Sequence, residues 1–136
     1  MTTEISEGTV LRYPMPASSP NVFVVDDNEA VRMGLHRLLC ASGMQVQTFA
    51  DAASCLNALS GQSPDCVVVD LHMPGMTGLD MLHHLMHLRV CVPVIVVTAY
   101  DDPQLRAQCL AAGAQAYLCK PFDAELLLGT IVGLAH

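Results

Sequence analysis

The chain spends lysine once, at Lys120, in the run Cys119-Lys120-Pro121-Phe122 directly after the apolar stretch Ala116-Tyr117-Leu118. Three further apolar runs also end in polar groups. Val22–Val25 leads into Asp26 and Asp27, Cys66–Val69 into Asp70, and Val94–Val97 into Thr98. If these four runs are neighbouring parallel strands, their carboxyl ends gather three carboxylates, a hydroxyl and an ammonium into one crevice. Open α/β sheets place their ligand sites there. Such a set suits a divalent cation beside a phosphoryl group.

The elements that must position these groups are legible along the chain. Val22–Val25 is continuously apolar, as a strand covered on both faces is. Asn28 can cap a helix over 29–42 with Val31, Leu35, Leu38 and Leu39 on its apolar face, and Gly43 closes it. A short strand at 45–49 precedes a helix capped by Asp51 and running to Leu59, ended by Gly61 and the turn Ser63-Pro64-Asp65. The strand at 66–69 leads through Met73-Pro74-Gly75 into a helix over 77–88, with Leu79, Leu82, Leu85 and Met86 as packing residues. A strand at 93–97 follows. Asp102-Pro103, a cap with proline at the first helical position, opens a helix to Ala112 that Gly113 stops. The last strand covers 115–118. Asp123 starts the final helix, with Leu126, Leu127, Ile131 and Leu134 on one side. Five βα units without long interruption predict a doubly wound α/β fold, a five-stranded parallel sheet with helices on both faces.

Composition narrows the function. At 136 residues, 52% hydrophobic and 14% charged, the chain reads as one globular domain. Residues 1–20, with Pro14, Pro16 and Pro20, read as a flexible N-terminal extension, and 21–136 as the domain proper. The net charge of −7 and five scattered arginines leave no basic patch for direct nucleic-acid binding. The apolar runs fall short of the roughly 20 residues of a membrane span, and Met1-Thr2-Thr3-Glu4 is unlike a signal peptide. A cytoplasmic protein is expected. The six cysteines sit singly in apolar segments, without a CxxC pair, and are expected to be buried free thiols. His83, His84 and His87 cluster without a third ligand type beside them and read as an exposed helix face.

Taken singly, each polar group has an ordinary reading. An aspartate can cap a helix or open a turn, a threonine can end a strand, and a loop lysine is normally solvated. Their order and spacing carry more: 43 residues separate Asp27 from Asp70, 28 separate Asp70 from Thr98, and 22 separate Thr98 from Lys120. With the motifs Val-Val-Asp26-Asp27, Val-Val-Asp70-Leu-His-Met-Pro-Gly-Met-Thr-Gly78, Val-Val-Thr98-Ala99 and Gly113-Ala-Gln-Ala-Tyr117-Leu-Cys-Lys120-Pro121-Phe122, residues 21–135 resemble the receiver domain of two-component response regulators.

The resemblance implies a flavodoxin-like sheet of order 2-1-3-4-5. It implies that Asp70 accepts a phosphoryl group from the phosphohistidine of a sensor histidine kinase. Mg2+ would be held by Asp26, Asp27, Asp70 and the backbone carbonyl of His72. Lys120 would face the phosphoryl oxygens, pair with Asp70 in their absence, and precede a cis Lys120-Pro121 peptide. Thr98 and Tyr117 would be the switch pair, Tyr117 turning inward into space that Thr98 vacates. His72 and Tyr100 would tune the lifetime of the phosphorylated form.

The expected partners are the cognate kinase and an output domain or downstream protein, with a phosphorylation-dependent homodimer as a further candidate. The chain is expected to be either a free-standing receiver or the N-terminal receiver of a longer regulator, with transcription regulation as the output. Its start at Met1 argues against a receiver at the end of a hybrid kinase. The competing reading is a stand-alone aspartate-nucleophile phosphohydrolase. Such enzymes carry Asp-x-Asp after the first strand, whereas Asp26 and Asp27 are adjacent and the nucleophile candidate follows the third strand. Receivers hydrolyse only their own acyl phosphate, so no turnover enzyme is expected.

Overall fold

The computed structural model describes residues 19–135. Ten elements alternate: β1 (Asn21–Val25), α1 (Glu29–Ala41), β2 (Gln45–Phe49), α2 (Ala52–Leu59), β3 (Cys66–Asp70), α3 (Gly78–Leu88), β4 (Val94–Thr98), α4 (Pro103–Ala111), β5 (Ala116–Cys119) and α5 (Ala124–Leu134). All strand pairs are parallel, in the order β2-β1-β3-β4-β5. This is the predicted doubly wound sheet. The predicted N-terminal extension, apart from Ser19 and Pro20, lies outside the described residues.

Period-two alternation sends strand side chains to opposite faces, and two cores result. Phe23, Val25, Val67, Val69, Val94, Val96 and Tyr117 pack under α2, α3 and α4 with Cys55, Met81, Leu82, Leu85 and Cys109. Val22, Val24, Cys66, Val68, Ile95 and Val97 pack under α1 and α5 with Leu39, Leu127 and Ile131. A continuous apolar strand is thus the sum of two alternating faces. Burying each such side chain contributes about 1.5–3 kcal/mol, so β1, β3 and β4 anchor the molecule.

Helix ends follow local chemistry. Asn28 accepts from the Val31 amide at 3.1 Å and Asp51 from Ser54 at 2.8 Å. Asp102 accepts from Gln104 and Leu105 at 3.0 and 3.2 Å. Gly43 and Gly113, after α1 and α4, take φ of 90° and 107°, a region that L side chains rarely adopt. Thr77 and Asp80 form a reciprocal capping box at the start of α3.

Several packing expectations are corrected. Met86 and Leu126 are 56% and 51% exposed, because the core-facing arcs of α3 and α5 centre on Met81, Leu82 and Leu85 and on Leu127 and Ile131. Asp123 precedes α5 but makes no side-chain cap bond. The cysteines are free, yet only Cys55, Cys66 and Cys109 are buried; Cys40 and Cys91 are exposed and Cys119 is intermediate. Cys40 and Cys91 lie on the solvent side of their segments.

Burial pushes the Cys55 thiol up to about 12, and the Cys66 thiol likewise with help from the Asp65 charge. Reactivity belongs to the thiolate. A thiol reagent at neutral pH should therefore label Cys40 and Cys91 within the native protein, and Cys55, Cys66 and Cys109 only in denaturant. Peptide mapping checks this, and native labelling of Cys66 would contradict the packing. His83, His84 and His87 are exposed on α3, as expected.

Candidate functional site

Strand register assembles the site. Val25 pairs with Val69, so Asp26, just past the end of β1, and Asp70, the last residue of β3, lie side by side. Asp70 pairs with Val97, and Thr98 with Cys119, which places Thr98 and Lys120 at the same edge. β1 and β3 are also where the connections diverge, β2 lying to one side and β4-β5 to the other. The crevice at such a switch point is the usual ligand site of this architecture.

Carboxylate oxygens of Asp26, Asp27 and Asp70 all lie within 4.8 Å of one another. Exposure is graded: Asp26 is 2% exposed, Asp70 half-buried and Asp27 open to solvent. Asp26 Oδ1 accepts from the Asn28 amide at 2.8 Å. Its Oδ2 is buried without a hydrogen-bond partner and meets the Lys120 ammonium at 3.8 Å. Lys120 was expected to pair with Asp70. Its ion pair is with Asp26 instead, and it acts on Asp70 only through space.

Asp70 is held above the ordinary carboxylate range, first by burial and then by the Asp26 charge, with a smaller push from Asp27. Lys120 and a hydrogen bond from the His72 amide oppose that rise without cancelling it. An acidic nest with one half-exposed ammonium is short of positive charge. Added to the buried Asp26 Oδ2, which lacks a hydrogen bond, that shortage is what a hard, oxygen-seeking dication would relieve. The residues fit Mg2+.

Around the nest, Thr98 is fully buried and its Oγ1 accepts from the Tyr100 amide at 3.1 Å. The Lys120 amide donates to the Thr98 carbonyl at 2.7 Å, and the Lys120-Pro121 peptide is cis. The rings of His72 and Tyr100 meet edge-on, centroids 5.2 Å apart, with His72 exposed and Tyr100 65% exposed. The two rings thus bridge the loops that follow β3 and β4. Tyr117 stands buried, 5% exposed, with its hydroxyl lacking a hydrogen-bond partner.

Some contributors escaped the sequence reading. Arg32 Nη1 donates to the Asp26 carbonyl at 2.7 Å, fixing the strand end that carries the nest; a lone helix arginine offered no signal. Asn28 caps α1 as its place predicts, and its amide also orients Asp26. Gly78 backs the Asp70 loop. A Cβ there would meet the Asp70 carbonyl oxygen at 3.0 Å and Leu71 Cα at 3.1 Å. Its place in the motif was visible, but not the contact.

Among the described residues no helix is long and apolar enough to cross a membrane. The response regulator receiver domain model matches residues 22–132. The chain is 42% identical over 129 residues to the sensory/regulatory protein RpfC of Xanthomonas campestris, covering 92% of this chain and 18% of that protein. It is 38% identical over 104 residues to the DNA-binding transcriptional regulator NtrC of Escherichia coli, covering 76% of this chain and 22% of that one. This chain thus spans about a fifth of either relative. Among solved structures, the receiver domain of the Francisella response regulator 1452 superposes with a TM-score of 0.82 at 26% identity, covering 86% of this chain and 97% of that one. Fold, strand order and sequence agree, and the chain belongs to the response regulator receiver domain family of two-component signal transduction.

Proposed function

We propose that Asp70 is the phosphoacceptor and that the domain passes a phosphoryl signal from a sensor histidine kinase to an output domain or downstream protein. The observation that carries this reading is the convergence of Asp26, Asp27 and Asp70 within 4.8 Å beside Lys120. Asp26, Asp27, Asp70 and the His72 carbonyl would hold Mg2+, which when bound supplies the charge neutralisation that phosphoryl transfer to a carboxylate requires. Asp70 forms the new P–O bond as the P–N bond of the donor breaks, and the electron pair stays on the imidazole. Lys120 stands ready to turn from Asp26 to a phosphoryl oxygen. An ammonium tethered at the same sheet edge has only a short way to move as charge arrives, and its attraction to the phosphoryl oxygen opposes the charge gathered there.

Thr98 and Tyr117 form the switch pair in this reading. The Thr98 hydroxyl exchanges its local contact for a phosphoryl oxygen, and the ring of Tyr117 fills the space behind it. The phosphoryl group then biases α4, β5 and α5 only through the contacts it makes better in one arrangement. His72 and Tyr100 border the acyl phosphate and set how fast water reaches it. The domain works in the cytoplasm as a switch whose hydrolysis is limited to its own acyl phosphate. Transcription regulation is the output that relatives such as NtrC suggest, through an output domain, a partner or a phosphorylation-dependent homodimer.

The test is incubation with a small acyl-phosphate donor. With Mg2+ the protein should gain one hydroxylamine-labile phosphoryl group, and a chelator should prevent the gain. Uptake that is indifferent to the chelator would contradict the reading.

A further inference from the structure

Tyr117 occupies a place that its own polar atom disfavours. The ring is 5% exposed in the core beneath α2, α3 and α4, and its buried hydroxyl finds no hydrogen bond. A buried phenol without a partner loses the hydration it would keep if the ring turned outward. Apolar packing of the ring offsets that loss, and any further contact with the ring adds to what holds it inward.

One such contact is present. Arg106, on α4, holds its guanidinium carbon 5.6 Å from the centroid of the Tyr117 ring, inside the roughly 6 Å over which a cation is attracted to an aromatic face. The contact joins α4 to β5 directly. Arg106 is exposed, so it meets the ring from the solvent side while the core holds the other face.

We infer that Arg106 is a positioning residue that latches the Tyr117 ring in its buried place and thereby biases α4 and β5 toward one arrangement. The effect on the ring stands independently of Asp70. Its consequence for phosphoryl uptake rests on the reading of Asp70 as phosphoacceptor. A cation–π contact at a solvent edge changes a two-state population about two- to fivefold. Arg106→Gln removes the cation and keeps the length and polarity of the side chain. Arg106→Lys keeps a cation that can still sit over the ring.

The test uses fluorotyrosine-labelled protein and 19F NMR. The chain has three tyrosines, Tyr13, Tyr100 and Tyr117, so Tyr117→Phe assigns the resonance and the other two serve as references. In Arg106→Gln the Tyr117 signal should move toward a solvent-exposed shift with a larger solvent-isotope effect, the ratio of outward to inward ring rising about two- to fivefold. Arg106→Lys should stay near wild type, and melting curves establish that all three variants fold. An Arg106→Gln spectrum matching wild type would overturn the latch, as would an Arg106→Lys spectrum matching Arg106→Gln. In a second arm, Mg2+-dependent uptake from the small donor should slow in Arg106→Gln in proportion to the inward population that the ring spectra show to be lost. A shifted ring with unchanged uptake would overturn the link to the site. Wild-type protein that takes up no phosphoryl group would sink the Asp70 reading, and the ring spectra alone would then decide the latch.

Discussion

Asp26→Asn should melt above wild type in Mg2+-free buffer and lose most of its response to Mg2+. Asp26 is 2% exposed, its Oδ2 lacks a hydrogen bond, and the Asp27 and Asp70 carboxylates lie within 4.8 Å. At about 5 Å and an effective dielectric constant near 20, each like-charge pair costs about 3 kcal/mol before screening. Solvent at Asp27 and the Lys120 ammonium at 3.8 Å offset much of that. A net relief of about 1–2 kcal/mol remains, worth a few degrees in a domain of this size. Asparagine retains an oxygen to accept from the Asn28 amide, so the strand end stays oriented. The same substitution removes an anionic oxygen from the proposed Mg2+ site, and affinity should fall at least about tenfold. Thermal melts across a Mg2+ titration check both parts, since a ligand stabilises only the form that binds it. A variant that melts below wild type without Mg2+, or rises with Mg2+ as wild type does, would contradict the electrostatic account.

Gly78→Ala should both destabilise the fold and slow phosphoryl uptake, although the residue carries no functional group. The Cβ would stand 3.0 Å from the Asp70 carbonyl oxygen and 3.1 Å from Leu71 Cα. Both are backbone atoms, and the Gly78 amide donates to the Leu71 carbonyl at 3.0 Å, so the loop cannot swing aside freely. Overpacking of this kind costs about 1–3 kcal/mol. The neighbouring backbone must give by a few tenths of an ångström, and a shift of that size passed on to the Asp70 carboxylate would lower uptake by up to roughly tenfold. Gly34→Ala is the control: nothing lies within 4 Å of its Cβ in the middle of α1. The exchange there should stabilise by about 0.5–1 kcal/mol through helix propensity. Urea melts and donor kinetics on the pair check the prediction, and wild-type behaviour from Gly78→Ala would show that the Asp70 loop yields.

The elements were legible because each rests on local rules. Continuous apolar runs mark strands covered on both faces. Asn28, Asp51 and Asp102 cap helices, and Gly43 and Gly113 end them. Convergence of the polar groups depends on strand order, which the resemblance implies and the sheet β2-β1-β3-β4-β5 bears out. What stayed hidden depends on rotation and on through-space balance. Met86 and Leu126 are apolar residues at helical spacing, yet a small rotation about the helix axis puts them in water and brings Met81 inward. α3 ends at Arg89, which adopts the left-handed conformation with φ 58°, where no glycine announces a stop. Lys120 lies at one edge with three carboxylates; its preference for Asp26 reflects burial of that oxygen, which no spacing encodes. The Arg106–Tyr117 contact is likewise a meeting of two elements whose sequences do not mention each other.

The central proposal is that Asp70 takes up phosphate because an acidic nest for Mg2+ and a facing ammonium surround it. Intact mass after incubation with Mg2+ and a small phosphodonor tests it most directly, on wild type and Asp70→Asn side by side. Wild type should gain a single phosphoryl group and Asp70→Asn none. A modified Asp70→Asn, or a wild type unchanged at saturating Mg2+ and donor, would contradict it.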